Sequence, residues 1–127
     1  MTLVLDTQVA MWWFVGSRRV GGPARKLLAE SACVLSAASV WEVAIKHRLG
    51  KLPVGPALFR DRMVACGAEI LAVSDTHAIE TAALPRHHDD PFDRMLIAQA
   101  RVERLRAVSA DKAWQRILNA RRKPAAE

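Results

Sequence analysis

Residues 2–15 read Thr2-Leu3-Val4-Leu5-Asp6-Thr7-Gln8-Val9-Ala10-Met11-Trp12-Trp13-Phe14-Val15, an apolar stretch broken by one polar group, Asp6-Thr7-Gln8. Thr2 to Leu5 is short and partly β-branched, so it reads as a buried first strand stopped by Asp6-Thr7. The residues that follow read as an apolar helix over about 8–15, ended by Gly16. The fold depends on whether this strand-then-helix unit recurs.

It recurs three times. Gly21-Gly22-Pro23 resets the chain, and Pro23 suits the first turn of a second helix running to Glu30. Cys33-Val34-Leu35 reads as strand two. A helix over 36–49 follows, with Val40, Trp41, Ala44, Ile45 and Leu49 as its apolar stripe and Gly50 as its stop. Beyond the loop marked by Pro53 and Pro56, the pattern predicts a helix over 57–66 closed by Gly67, then strand three over 69–73. Ser74 caps a helix that ends before Pro85, and Arg86-His87-His88-Asp89-Asp90 is the longest loop. Asp90 as cap, with Pro91 in the first helical position, starts a helix to Glu103, followed by strand four over 106–109 and a last helix near 112–119. Strands alternating with helices imply a parallel sheet covered on both faces. No repeat, low-complexity tract or linker interrupts the chain, so one domain over 1–120 is expected, with a basic flexible tail over 121–127.

The chain has 127 residues, 51% of them hydrophobic and 25% charged. That balance excludes disorder as the main state, and the length allows a core without disulfide or structural metal. The longest apolar run, Val9 to Val15, is far short of the ~20 residues that span a bilayer. Asp6 stands where a signal peptide would be basic, and a cytoplasmic location without membrane attachment is expected. Cys33 and Cys66 lack CxxC spacing and read as small buried hydrophobes. The sum of 19 Lys+Arg against 13 Asp+Glu gives +6 with His neutral, which points to a polyanionic partner. The basic residues collect at Arg18-Arg19, Arg25-Lys26, Lys46-His47-Arg48 with Lys51, Arg86, Arg101 to Arg106, and Arg121-Arg122-Lys123. Solvated helix faces would account for them equally well.

In open parallel sheets, ligands bind beyond the carboxyl ends of the strands. Asp6 and Asp111 lie at such ends, Asp90 and Asp93 at the start of the helix feeding strand four, and Glu42 in the first turns of the helix after strand two. Each has a purely structural alternative as a helix cap. Glu42 in particular would complete a capping box if Ser39 were the cap, while Ser36 as cap puts it further inside the helix. Four carboxylates within about 5 Å would repel by roughly 3 kcal/mol per pair at an effective dielectric near 20, so a true cluster needs a divalent cation or raised pKa values. Hard oxygen donors select Mg²⁺ or Mn²⁺, which can activate a water and neutralise charge on a phosphate. With a basic rim, this combination points to metal-dependent phosphodiester hydrolysis. His47, His77, His87 and His88 lack HExxH spacing, and there is no P-loop and no GxGxxG after strand one. Trp12-Trp13-Phe14 cannot share one helix face, which leaves at least one aromatic near the surface; core packing accounts for most of them, and one exposed Trp would suit a partner helix.

Four strings resemble the PIN-domain ribonucleases, and most closely the VapC-like toxins of bacterial toxin–antitoxin systems: Leu3-Val4-Leu5-Asp6-Thr7; Ser39-Val40-Trp41-Glu42-Val43-Ala44-Ile45-Lys46 with Leu49-Gly50-Lys51-Leu52; Asp90-Pro91-Phe92-Asp93-Arg94-Met95-Leu96-Ile97-Ala98-Gln99-Ala100; and Ser109-Ala110-Asp111. The resemblance implies a three-layer α/β/α sandwich on a parallel sheet of four or five strands, and an endoribonuclease dependent on Mg²⁺ or Mn²⁺. Carried over by position, the acidic quartet is Asp6, Glu42, Asp93 and Asp111. Asp6, Asp93 and Asp111 would hold the metal, with Asp90 as a further ligand candidate, and Thr7 and Ser109 would give polar support. RNA contacts are expected from Arg18, Arg19, Lys46 and Arg86, which flank the acidic positions. A cognate antitoxin, a homodimer and a toxin–antitoxin hetero-oligomer are the implied assemblies. Gln8 stands where this branch often has His, and Ser109 where it often has Thr. The alternatives are a PIN-fold domain that binds or regulates without catalysis, and a nuclease acting on DNA, since phosphate and metal contacts do not sense the 2′-hydroxyl.

Overall fold

Four short parallel strands, Leu3–Leu5 (β1), Cys33–Ser36 (β2), Glu69–Leu71 (β3) and Arg106–Val108 (β4), form one sheet in the order β3-β2-β1-β4. The computed structural model describes residues 2–16, 22–85 and 89–109. Two helices fill each crossover: Thr7–Phe14 (α1) and Gly22–Glu30 (α2), then Ala37–Arg48 (α3) and Pro56–Ala65 (α4), then Asp75–Thr81 (α5) and Pro91–Glu103 (α6). The expected helix over 112–119 and the tail over 121–127 lie outside the described residues. No helix among the described residues is long and apolar enough to cross a membrane.

The helix boundaries follow local chemistry. Asp6 caps α1 by accepting the Val9 N–H at 2.6 Å, and Ser36 caps α3 by accepting the Ala38 N–H at 3.0 Å. Ser74 and His77 form a reciprocal capping box on α5. Asp90 accepts the Phe92 and Asp93 N–H groups at 2.8 and 3.2 Å, with Pro91 where a missing N–H costs nothing. Asp90→Ala should therefore cost about 1 kcal/mol and Asp90→Asn a few tenths at most, read from denaturant midpoints; an equal loss in both would mean that the cap contributes nothing. At the other helix ends, Gly50 and Gly67 take φ of +74° and +101°, conformations that an added side chain would strain.

Both faces of the sheet are covered. Leu3, Leu5, Cys33 and Leu35 pack with Val9, Leu28, Val43, Phe59 and Met63 in one apolar cluster. Ala107 packs with Leu84, Leu96, Ile97 and Ala38 in the other. Strand residues alternate between faces, and Val4, buried and in register with Ala107, belongs to the second. The result is the expected three-layer α/β/α arrangement, with four strands among the described residues.

Two expectations are corrected, for the α3 stripe and for Cys66. Most of the apolar stripe expected for α3 does not face the core: Val40 packs half-buried against the first cluster, but Trp41, Ile45 and Leu49 are exposed, Trp41 and Leu49 at 63% each, and the helix buries Ala38, Ser39, Glu42 and Val43. Periodicity identifies a stripe, whereas the neighbours decide which face is covered. Here the small and polar face meets α1 through a Thr7–Ser39 hydrogen bond. Cys66 is exposed because it sits at the cap that ends α4, while Cys33 is buried and burial pushes its thiol pKa up. Trp12, Trp13 and Phe14 are all half-buried against the first cluster, with the Phe14 ring between Phe59 and the Arg62 guanidinium. Among the described tryptophans the exposed one is Trp41, whose ring meets Phe92 edge-on at 5.1 Å.

Candidate active site

The chain runs outward from β1 to β2 and β3, then returns through α5 and α6 to place β4 on the opposite side of β1. The direction of winding therefore reverses between β1 and β4, and ligands of open parallel sheets bind beyond the carboxyl ends of the strands at such a reversal. Asp6 stands there, immediately after β1, and is 6% exposed. Its backbone N–H donates to the Val108 carbonyl at 3.0 Å, and its Oδ1 accepts the Val9 N–H. The Ser109 hydroxyl donates to its Oδ2. Both expected support residues are thus engaged: Ser109 on Asp6 itself, and Thr7 through the 3.0 Å bond from its hydroxyl to Ser39.

Glu42 lies one turn beyond Ser39 on the same face of α3 and is 7% exposed. Because Ser36 is the cap, Glu42 is interior to the helix and makes no capping box with Ser39. Its Oε2 is 2.8 Å from Lys46 Nζ, whereas Oε1 is buried and has no hydrogen-bond partner among the described residues. Leaving a buried acceptor unsatisfied costs about 1–3 kcal/mol, more when it is charged. Nothing in the helix requires this arrangement.

Asp93 occupies the first turn of α6, half-buried, where an acid also suits the helix dipole. Since α6 runs back along the sheet to feed β4, its start lies at the same carboxyl edge as Asp6. The Trp41–Phe92 ring contact joins the residues immediately before Glu42 and Asp93. Arg94, whose role has no signature in the sequence, donates to the carbonyls of Thr81, Leu84 and Pro85 at 2.7, 3.2 and 3.0 Å. It ties the end of α5 to the start of α6 and so sets where Asp90 and Asp93 stand. Behind it, buried His77 accepts the Ser74 N–H on Nδ1, and its Nε2 is 3.1 Å from Glu103. This histidine holds α5 on α6.

Among the described residues, no group of three or more His, Cys, Asp or Glu is able by itself to hold a metal ion, so Asp6, Glu42 and Asp93 alone do not make a complete site. Asp111, Arg18, Arg19 and Arg86 lie outside the described residues. Lys46 lies within them, paired with Glu42. What fits a cation is the donor chemistry. The acids offer hard oxygen donors near a switch point, and one of them keeps a buried oxygen with no hydrogen-bond partner among the described residues.

Residues 3–118 match the PIN domain family. A segment of 56 residues is 43% identical to Ribonuclease VapC16 of Mycobacterium tuberculosis (strain ATCC 25618 / H37Rv), and the match covers 42% of this chain and 40% of that protein. Among solved structures, the fold is similar to VapBC2 from Rickettsia felis bound to a DNA fragment from their promoter. That likeness has a TM-score of 0.70 and 15% identity, and covers 94% of this chain and 95% of that one. It is also similar to a toxin–antitoxin complex from Klebsiella pneumoniae, with a TM-score of 0.60, 20% identity and 87% of each chain covered. With the family match running from β1 past the end of β4, and the sheet order and carboxyl-edge acids arranged as described, this chain belongs to the PIN domain family.

Proposed function

We propose that this protein is an endoribonuclease dependent on Mg²⁺ or Mn²⁺ that acts as the toxin of a toxin–antitoxin pair inside the cell. The observation that carries the reading is Glu42: a carboxylate 7% exposed, beside the switch point, with one oxygen buried and without a hydrogen-bond partner among the described residues. A hard cation at the site accounts for such an oxygen, and family membership supplies the context. Asp6, Asp93 and Asp111 would hold the ion, with Asp90 as a further candidate. When bound, the ion supplies charge neutralisation at the scissile phosphate and a water of lowered pKa.

The chain's own residues do the rest. Ser109 and the Val9 N–H fix the Asp6 carboxylate, so its oxygens need no reorganisation when the charge of the reacting phosphate builds up. Thr7 and Ser39 lock the start of α1 to α3 and thereby set Asp6 relative to Glu42. Arg18, Arg19 and Arg86 hold the RNA backbone, a contact that weakens steeply with salt. The antitoxin partner and a homodimer or hetero-oligomer are proposed by analogy with the toxin–antitoxin complexes that share the fold.

Purified protein incubated with a pool of cellular RNAs, with Mg²⁺, Mn²⁺ or chelator, and sequenced for new ends, tests the reading. New RNA ends that appear with either metal and vanish with chelator are expected. Their absence with both metals, or equal cleavage of matched DNA, would overturn it.

A further inference from the structure

Read from the sequence, Lys46 belongs to a basic rim that contacts RNA. In the structure its ammonium sits 2.8 Å from Glu42 Oε2, one turn back along α3, with the lysine side chain 44% exposed and the glutamate side chain 9%. Exposed i,i+4 pairs contribute little, because both partners keep their freedom and water competes for both. This pair differs in that one partner is buried and its second oxygen meets no hydrogen-bond partner among the described residues. A carboxylate turns easily about its terminal torsion, which is broad and roughly two-fold. Holding Oε2 at one point removes that freedom and fixes the direction of Oε1. Lysine is well matched to this role, because its ammonium is a compact point charge that takes one oxygen, whereas the arginine fork would cover both oxygens of the carboxylate.

We propose that Lys46 is a positioning residue for the acidic site, pinning Glu42 Oε2 so that Oε1 alone is presented to the divalent cation. The proposal rests on the metal-dependent reading above. It assigns Lys46 to the glutamate and not to the RNA backbone.

The test uses full-length wild type, Lys46→Met and Lys46→Arg. Mn²⁺ affinity is measured without RNA by electron paramagnetic resonance of the free ion. Cleavage of a single-stranded oligoribonucleotide is separated into kcat and KM, and melting curves in chelator check folding. Lys46→Met keeps the apolar stem and removes the charge. It should weaken Mn²⁺ binding and lower kcat, each by about tenfold or more, as losing a partner that orients a metal ligand does, with KM and the salt dependence of RNA binding unchanged. Lys46→Arg should also bind Mn²⁺ more weakly than wild type. Unchanged or tighter Mn²⁺ binding in Lys46→Met would overturn the proposal, as would wild-type Mn²⁺ affinity in Lys46→Arg. So would a rise in KM alone with a shallower salt slope, the signature of a phosphate contact. If wild type binds Mn²⁺ in a Lys46-dependent way yet cleaves no RNA, the positioning role stands and the ribonuclease reading falls. If wild type cleaves RNA while Lys46→Met binds Mn²⁺ and cleaves equally well, the positioning role alone falls. Failure of wild type to bind Mn²⁺ overturns both.

Discussion

Asp6→Asn and Asp93→Asn should each reduce metal-dependent RNA cleavage by on the order of 100-fold or more, while the protein melts within a few degrees of wild type. A change to a partner of a metal ligand already costs about 10–100-fold, and these changes remove the charge of the ligand itself. The fold survives for a specific reason at each position. Asn is as good an N-cap as Asp, so the Asp6→Asn amide oxygen can keep the Val9 N–H that Oδ1 now accepts. The Ser109 hydroxyl, which now donates to Oδ2, can rotate and accept from the new NH₂ group. Asp93 is half-buried in the first turn of α6, where its charge contributes a dipole interaction of about 0.3–1 kcal/mol. Asp90→Asn is the control: its side chain is committed to the Phe92 and Asp93 amides, and Asn serves them, so cleavage should hardly change. Wild-type cleavage in both Asp6→Asn and Asp93→Asn would remove the site from this edge of the sheet. A loss in Asp90→Asn as deep as that of Asp93→Asn would move the metal ligand to Asp90.

Phe59→Ala should be the most damaging single core change, costing about 3–5 kcal/mol out of a total that for such domains is about 5–15 kcal/mol. The Phe59 side chain is fully buried, lies in the cluster that joins β1 and β2 to α1 and α4, and meets the Phe14 ring at 5.9 Å between centroids. Removing it leaves a cavity walled by two helices and the sheet, none of which can collapse without moving the others. The same change loosens α4 on α1, which stay joined through Arg62 and Met63, so the denaturant midpoint should fall with little change in slope. A loss below 1 kcal/mol would mean that α4 packs independently of this ring. Because Phe59 belongs to the cluster away from α6, the residual folded protein should keep its Mn²⁺ affinity under stabilising conditions.

The elements were legible in the chain because their signals are local. An aliphatic run stopped by Asp6-Thr7, a cap at Ser36, Ser74 or Asp90, and a glycine at 50 or 67 act within about four residues, the reach of a helical hydrogen bond. They depend little on what packs alongside. The alternation of strands and helices then restricts the sheet to parallel strands, and the acids at strand ends and helix starts fall on its carboxyl edge by topology alone. What the chain could not disclose is pairing at a distance. The Ser109–Asp6 contact joins residues 103 apart in sequence and exists only because β4 returns beside β1. Arg94 reads as one more surface charge until α5 places three carbonyls within its reach. Of the α3 stripe Val40, Trp41, Ala44, Ile45 and Leu49, which reads as a core face, Trp41, Ile45 and Leu49 are exposed, since periodicity records that a face is apolar and not whether a neighbour covers it. Ser39 and Glu42 are buried with partners that the stripe does not reveal: Thr7 at the start of α1 and Lys46 along the helix. A local signal depends on backbone atoms a few bonds away and survives in any fold, whereas the partner of a charge or hydroxyl is chosen by which elements the tertiary structure brings within about 3 Å.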